Sequence, residues 1–127
     1  MYNKIIFLIT LFIFLSCAST KYNEKAVNIN NEIIEIILST DKENIWGLFL
    51  SITGNITGGI ELEIERHDTE DNFKFNYNYI NNVNYIFSRH DGGPADYYSN
   101  VVIIRIYPIG NCEGELIIKY NFAGLDY

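Results

Sequence analysis

A strict two-residue alternation of apolar and charged side chains is the feature that most constrains how this chain can fold. Residues 60–65 read Ile-Glu-Leu-Glu-Ile-Glu, and residues 73–79 alternate aromatic side chains with lysine and asparagine. Successive side chains of a strand point to opposite faces of its sheet, whereas a helix would distribute these residues around its axis. Both segments are therefore predicted to be β-strands with one buried face.

The two strands are predicted to pair as an antiparallel hairpin across the polar loop 66–72. Placing Glu65 opposite Lys74 fixes their register. The apolar pairs are then Ile64 with Phe75, Leu62 with Tyr77 and Ile60 with Tyr79. Because a slip by one residue would move every glutamate into the core, no other register is expected.

Turn signals divide the rest of the chain into further predicted strands. The segment Thr57-Gly58-Gly59 is predicted to form a bulged three-residue turn, because such a turn sets Ile56 opposite Ile60 and keeps the apolar faces together. Asn81-Asn82 predicts another turn, and Gly110–Gly114 predicts the turn of a closing hairpin. The strands beyond the first hairpin are predicted at 45–53, 83–87, 101–107 and 116–122. The residues predicted to point inward from the closing hairpin are Val102, Ile104, Ile106, Leu116, Ile118, Tyr120 and Phe122.

Two segments near the start of the domain are less regular. Trp46 falls on the inward phase of its strand, so it is predicted to be a core residue rather than part of a contact surface. Glu32–Leu38 suits either a short helix or a buried strand, and its β-branched residues favour the strand. With about seven short strands, the chain is predicted to be an all-β protein, an antiparallel β-sandwich of immunoglobulin-like or jelly-roll-like outline.

The amino terminus predicts export. Lys4 precedes an apolar run from Ile5 to Leu15, and small residues follow it, as in a secretory leader. A retained membrane helix is the weakest alternative, because eleven residues fall short of the roughly 20 that span a bilayer.

The segment Phe14-Leu15-Ser16-Cys17 resembles the processing site of bacterial lipoprotein signal peptides, and the resemblance covers residues 1–17 only. It implies cleavage before Cys17 and attachment of acyl chains such as palmitate to that cysteine. The product would be anchored by lipid to a membrane of the cell envelope. Cleavage after Ala18 by an ordinary signal peptidase is the rival interpretation. The predicted organisation is a signal peptide at 1–16, the lipidated cysteine and a tether at 17–31, and the sandwich at 32–127.

Charge and cysteine content exclude several classes of function. Without Lys4 the chain has eight basic and sixteen acidic residues, a net charge of −8 with neutral histidines. This balance argues against binding to nucleic acid, which requires clustered lysine and arginine. Once Cys17 is lipidated, Cys112 is a lone thiol in a predicted turn, where a tolerated residue is favoured over a reactive one. The acidic loop of Asp68, Glu70 and Asp71 lacks the spacing of a calcium loop, so no metal and no cofactor are expected.

The longest irregular segment, Ser88–Asn100, is the best candidate for a binding site, because long loops in compact domains are often functional. Its candidate ligand-binding residues are Tyr97, Tyr98, Asp96, His90 and Arg89. Tyrosine rings there would stack on a sugar or a partner protein while the polar groups supply hydrogen bonds. The alternative is that one tyrosine caps the edge of the sandwich and the glycines only turn the chain.

Arg66-His67-Asp68 and Arg89-His90-Asp91 repeat one tripeptide, but sequence neighbours rarely reach the geometry of a catalytic set. We therefore expect no enzyme, although a hydrolase that uses carboxylates is a third hypothesis. The first is a non-catalytic envelope lipoprotein that binds protein or builds the cell surface. The second is a module that binds carbohydrate or a small ligand through the Ser88–Asn100 loop.

Overall fold

The computed structural model describes residues 21–68 and 73–125. The leader, Cys17, Glu70 and Asp71 lie outside the described residues, as do the predictions made for them. The six strands are β1 (Asn23–Ile29), β2 (Ile34–Ser39), β3 (Glu43–Arg66), β4 (Lys74–Phe87), β5 (Ala95–Asp96) and β6 (Val101–Leu125). In the described part of the chain, no helix has the length and hydrophobicity needed to cross a membrane.

All strand pairs are antiparallel, in the order β1-β6-β3-β4, with β2 also paired to β6 and β5 to β3. The register predicted for the first hairpin is confirmed pair for pair, from Glu65 opposite Lys74 to Ile60 opposite Tyr79. The segment 32–38 contributes strand β2, which confirms the preference for strand over helix.

The three turns predicted inside β3, β4 and β6 are wrong, because each of these strands bends there without reversing. β3 and β6 pair on both sides of the bend, with Asn55 opposite Glu115 and Gly59 opposite Ile109. The bends are made by residues with positive φ: Gly58 at 79°, Asn81 at 65° and Gly110 at 71°. A glycine next to apolar residues suits a bend as well as a reversal, and here the long β3–β6 ladder favours the bend.

The bent strands fold the sheet over into two layers. One layer contains β2 with the first part of β6, the last part of β3 and the first part of β4. The other contains β1 with the remaining parts of the same three strands. Side chains on one face of each layer are fully buried, for example Ile52 in one and Leu62 in the other, so these faces must cover each other. The predicted antiparallel β-sandwich is confirmed, with six strands because bends replace hairpins.

The predicted inward face of the closing strands is also confirmed for most residues. Val102, Ile104, Ile106, Leu116, Ile118 and Phe122 are buried, whereas Tyr120 is only partly buried. Cys112 does not lie in a turn: it is buried within β6, and its N–H donates to Asn31 Oδ1 at 2.9 Å. Burial raises the pKa of the Cys112 thiol, which makes the thiolate scarce at neutral pH.

The predicted tether is shorter than residues 17–31, and the domain begins before residue 32. Residues 23–29 form β1, which pairs along its whole length with β6. The reason is visible in the sequence, since Val27 and Ile29 keep the two-residue period and both are buried.

The sandwich has two unlike ends. We call the end that contains the bends and the β1–β2 connection the bend end; it comprises residues 29–34, 55–61, 78–84 and 107–116. The opposite end, which we call the loop end, comprises residues 40–47, 66–68, 73–74, 88–100 and 123–125.

Gly58→Ala is expected to destabilise the protein more than Gly110→Ala, although both glycines have positive φ at the bend end. A Cβ at Gly58 would collide with the backbone oxygen of Asn111, whereas nothing lies within 4 Å of one at Gly110. We expect a loss of about 2 kcal/mol for Gly58→Ala and about 1 kcal/mol for Gly110→Ala, measured by urea unfolding. Equal losses would show that β3 and β6 are not in close contact at the bend.

Candidate functional site

The Ser88–Asn100 segment is held at the loop end by strand β5. Gly47 and Leu48 of β3 pair with Asp96 and Ala95, and Gly47 pairs with Ala123 of β6 on its other side. A Cβ at Gly47 would lie 2.9 Å from the Cβ of Pro94 and 3.2 Å from the oxygen of Ala95. The absent side chain therefore lets the segment approach β3 closely.

The first half of the segment is a compact turn between Arg89 and Gly93. The N–H of Arg89 donates to the oxygen of Gly93 at 2.8 Å, and the N–H of Gly92 donates to the oxygen of Arg89 at 3.0 Å. Asp91 Oδ1 accepts from the N–H of Gly93 at 2.9 Å and lies 3.3 Å from Arg89 Nε. The Gly93 N–H, together with the charge of Arg89, lowers the pKa of the Asp91 carboxyl. The turn is thus fixed by its own hydrogen bonds.

Three of the five predicted site residues come together beside this turn. Arg89, His90 and Asp96 line an open depression of about 460 Å³, and the remaining lining residues are Ser88, Asp91 and Ala95. All of the charged members are exposed. The depression presents one guanidinium, one imidazole and two carboxylates, which can form hydrogen bonds and ion pairs with a polar ligand.

The two tyrosines have opposite environments, so the prediction that both rings face a ligand is wrong for Tyr97. Tyr97 is 1% exposed, whereas Tyr98 is 63% exposed. The Tyr97 hydroxyl donates to the oxygen of Val101 at 2.6 Å and accepts from the N–H of His67 at 3.2 Å. Burial raises the pKa of Tyr97 to about 12. Tyr97 therefore caps the open end of the sandwich, which was the alternative interpretation of the loop.

The guanidinium of Arg66 lies over the ring of Tyr97. Its guanidinium carbon lies 5.1 Å from the ring centroid of Phe87 and 5.3 Å from that of Tyr97. It also donates to Asp68, with Nε at 3.0 Å from Oδ1, and to the backbone oxygen of Asp96 at 3.3 Å. The contact with Asp96 therefore ties the end of β3 to the candidate segment.

Neither Arg-His-Asp tripeptide brings its histidine against its own aspartate. In each one the arginine pairs with the aspartate two residues later, Arg66 with Asp68 and Arg89 with Asp91. His67 Nε2 instead lies 3.3 Å from Glu65 Oε2.

Trp46 is not a core residue, which corrects its predicted burial. It is 49% exposed at the loop end, and its backbone oxygen accepts from the N–H of Tyr97 at 3.3 Å. The alternation fails here because the register of β3 against β6 shifts between Glu43 and Gly47, and Asn44 has a φ of 51°. Asn44 and Gly47, on either side of Trp46, were the signals of this irregularity.

A second surface that sequence reasoning missed is the free edge of β4. β4 stands at the end of the strand order and pairs only with β3 among the described strands. It is fourteen residues long, contains neither proline nor glycine, and Lys74 is its one charged residue. Sequence reasoning missed this edge because the predicted turn at Asn81-Asn82 divided the long strand into two short ones.

Comparisons with protein-family models, with curated proteins and with solved structures find no match to this chain. Within the ranges that the structure describes, no three His, Cys, Asp or Glu side chains are grouped so as to hold a metal ion. The loop end and the β4 edge are therefore the features of the molecule that bear on its function.

Proposed function

We propose that this chain is a non-catalytic lipoprotein of the cell envelope that binds a partner protein, or builds surface structure, through the free edge of β4. The anchor is Cys17, on the resemblance of residues 14–17 to a lipoprotein processing site. The observation that carries the binding function is the long, almost uncharged edge of β4. An unpaired strand edge presents a row of N–H and C=O groups that can accept a further strand.

The first half of β4 favours an extended partner segment of definite pattern. Its core-side aromatic residues are only partly covered, with Phe75 exposed and Tyr77 and Tyr79 half-buried. Asn76 and Asn78 occupy the other face. A strand added to this edge would place its apolar residues against the aromatic row and its polar residues against the asparagines. The partner segment is therefore one that alternates apolar and polar side chains.

The charged groups support a non-catalytic role. Among residues 21–68 and 73–125, the two carboxyls with shifted pKa values are Glu65 and Asp91, and both pKa values are lowered, so both groups stay ionised near neutral pH. A general acid in glycoside hydrolysis needs the opposite shift. Glu65 is also engaged in ion pairs with Arg105 and Lys74.

Photocrosslinking in intact cells tests the binding edge. A photoreactive residue at Asn78 is expected to give a discrete protein adduct, because a partner strand would lie about 5 Å from β4. The adduct at Asn78 should be lost in the Asn76→Lys/Ile80→Lys variant, because lysines on an edge strand oppose the addition of a further strand. Both positions are exposed, so the fold should be kept.

The matched control places the same probe at Thr53, which is exposed on the outer face in the middle of β3. No adduct is expected there. An adduct of equal yield at Thr53, an adduct at Asn78 that survives the two lysines, or no adduct at Asn78 would each contradict the proposal.

The depression beside Arg89 supports a second candidate, a site for a carbohydrate or another small polar ligand. Its volume of about 460 Å³ falls in the range of small-molecule sites, and three predicted polar residues line it. Trp46 is the only tryptophan of the chain and borders the same segment, so its fluorescence should report binding of added sugars. A change that persists in the Arg89→Ala/Asp96→Ala variant would place such binding elsewhere.

A further inference from the structure

The direction of β1 determines where the amino-terminal segment leaves the domain. Asn23 lies opposite Tyr120, and Ile29 lies opposite Gly114, so β1 runs from the loop-end side toward the bend end. Just before β1, the ring of Tyr22 packs on Phe49 with 4.8 Å between centroids. The chain before Tyr22 therefore starts from the half of the sandwich that carries the loop end.

The reach of this segment limits how the domain can sit on a membrane. Cys17 precedes Asn23 by six residues, which span at most about 20 Å when extended. Asn23 is level with Leu50, since both pair with Tyr120, and Trp46 is four residues further toward the loop end, about 13 Å along the strand. The segment can thus extend only about 7 Å past Trp46.

The bend end is out of reach. Ile29 marks its start and lies six residues from Asn23 in the opposite direction, about 20 Å along the strand. A tether that turned back along β1 would use its full length before it passed the bend end. A lipid at Cys17 can therefore bring the loop end, but not the bend end, to the bilayer.

The exposed apolar side chains differ between the two ends. At the loop end Trp46 and Tyr98 are exposed, and so is Phe73. At the bend end the exposed large apolar residues are Ile33, Ile80 and Ile109. Tryptophan and tyrosine are the residues that favour the headgroup region, where an amphipathic ring meets both apolar and polar surroundings.

The two ends also differ in net charge. The bend end has Glu32, Glu61, Glu113 and Glu115 and contains no lysine or arginine. Among its described residues the loop end has Lys42, Arg66, Lys74 and Arg89 against five carboxylates, a formal net charge of −1 compared with −4 at the bend end. Anionic lipids would repel the first surface more strongly than the second.

We infer that the loop end faces the bilayer, with Trp46 and Tyr98 in the headgroup region and the bend end directed away from it. This orientation rests on the proposed anchor at Cys17 and adds to it a membrane-contact surface. The β4 edge, which runs between the two ends, stays open to a partner.

Fluorescence of Trp46 in the full-length lipidated protein tests the orientation. The protein, purified in detergent, is reconstituted into vesicles of phosphatidylcholine and phosphatidylglycerol, with or without bromine on the acyl chains. We expect a blue shift of the emission and a loss of about twofold or more in the brominated vesicles, because an interfacial tryptophan lies beside the upper acyl chains. The control is Trp46→Phe/Ile80→Trp, which moves the fluorophore to a bend-end position that is 76% exposed. It should show neither change.

Vesicle flotation and the mass of the amino-terminal peptide report the anchor separately. Floating protein with unquenched Trp46 would overturn the orientation and leave the anchor intact. Equal quenching of the two variants would mean that the domain lies on its side, which also contradicts the inference. Protein that neither floats nor carries lipid would overturn the anchor and the orientation together.

Discussion

Replacing Tyr97 with alanine is expected to lower the free energy of unfolding by about 3–5 kcal/mol, as for other large aromatic residues removed from a core. The ring is enclosed by Phe87 and Phe122, with centroids at 6.2 and 6.4 Å, and lies beneath the Arg66 guanidinium. Its removal would leave a cavity at the open end of the sandwich. Urea unfolding followed by far-ultraviolet circular dichroism measures the loss.

The contributions of the Tyr97 hydroxyl and of its ring to stability can be measured separately. Tyr97→Phe keeps the ring but leaves the oxygen of Val101 and the N–H of His67 without their partner, which is expected to cost about 1–2 kcal/mol. Tyr98→Ala is the matched control: its ring is exposed, so the change should stay within about 0.5 kcal/mol. If Tyr98→Ala were as damaging as Tyr97→Ala, the assignment of Tyr97 as the cap would be wrong.

The contrast between these two tyrosines shows what the sequence alone could not decide. Adjacent residues of an extended chain point to opposite sides, so one tyrosine of the pair was bound to face away from the other. Which of them faces the core depends on the pairing of β5 with β3, and that pairing involves Gly47, fifty residues earlier in the chain. Periodicity within the loop contains no such information.

The register of the first hairpin was predictable because the residues that fix it lie within the paired strands themselves. Every residue from Ile60 to Glu65 has a clear preference for one face, and a single shift would reverse all of them. The bend at Gly58 was not predictable in this way, because a glycine with positive φ serves a reversal and a bend equally well. The deciding factor is the ladder between β3 and β6, whose paired residues are 36 to 82 residues apart in the sequence. Local patterns therefore predicted the strands and their faces, while long-range pairing set the bends and the site.

A second large effect is expected at Arg105, which joins three carboxylates on the outer face of the sandwich. Its guanidinium lies 2.9 Å from Glu35 Oε2, 2.8 Å from Glu63 Oε1 and 3.2 Å from Glu65 Oε2, so it links β2, β6 and β3. The hydrogen bonds with Glu63, followed by those with Glu35 and Glu65, raise the pKa of Arg105. Burial by itself would raise the pKa of Glu65, but hydrogen bonds from His67 and Arg105 and the charge of Arg105 outweigh it and lower that pKa.

Arg105→Met should therefore destabilise the protein by about 2–3 kcal/mol at pH 7, since it leaves clustered carboxylates without their shared cation. The effect should depend on pH. With the folded-state pKa of Glu65 below the ordinary value, its contribution is complete above that value and is lost as the pH falls through the folded-state pKa. In the variant, Glu65 loses the hydrogen bond and the charge of Arg105 while its burial remains, so the pKa of Glu65 rises in the folded state and acidification relieves the variant while it weakens the natural protein.

Urea unfolding at pH 7 and pH 4 distinguishes this network from simple packing by the arginine stem. The stability difference between natural protein and Arg105→Met is expected to shrink at the lower pH, because protonation of Glu65 removes a charge that Arg105 compensates. Lys74→Met is the matched control: Lys74 has a half-exposed side chain and contacts Glu65 at 3.4 Å, so its loss should cost at most about 0.5 kcal/mol at either pH. A difference for Arg105→Met that is the same at both pH values would assign its effect to packing and would refute the ionic explanation.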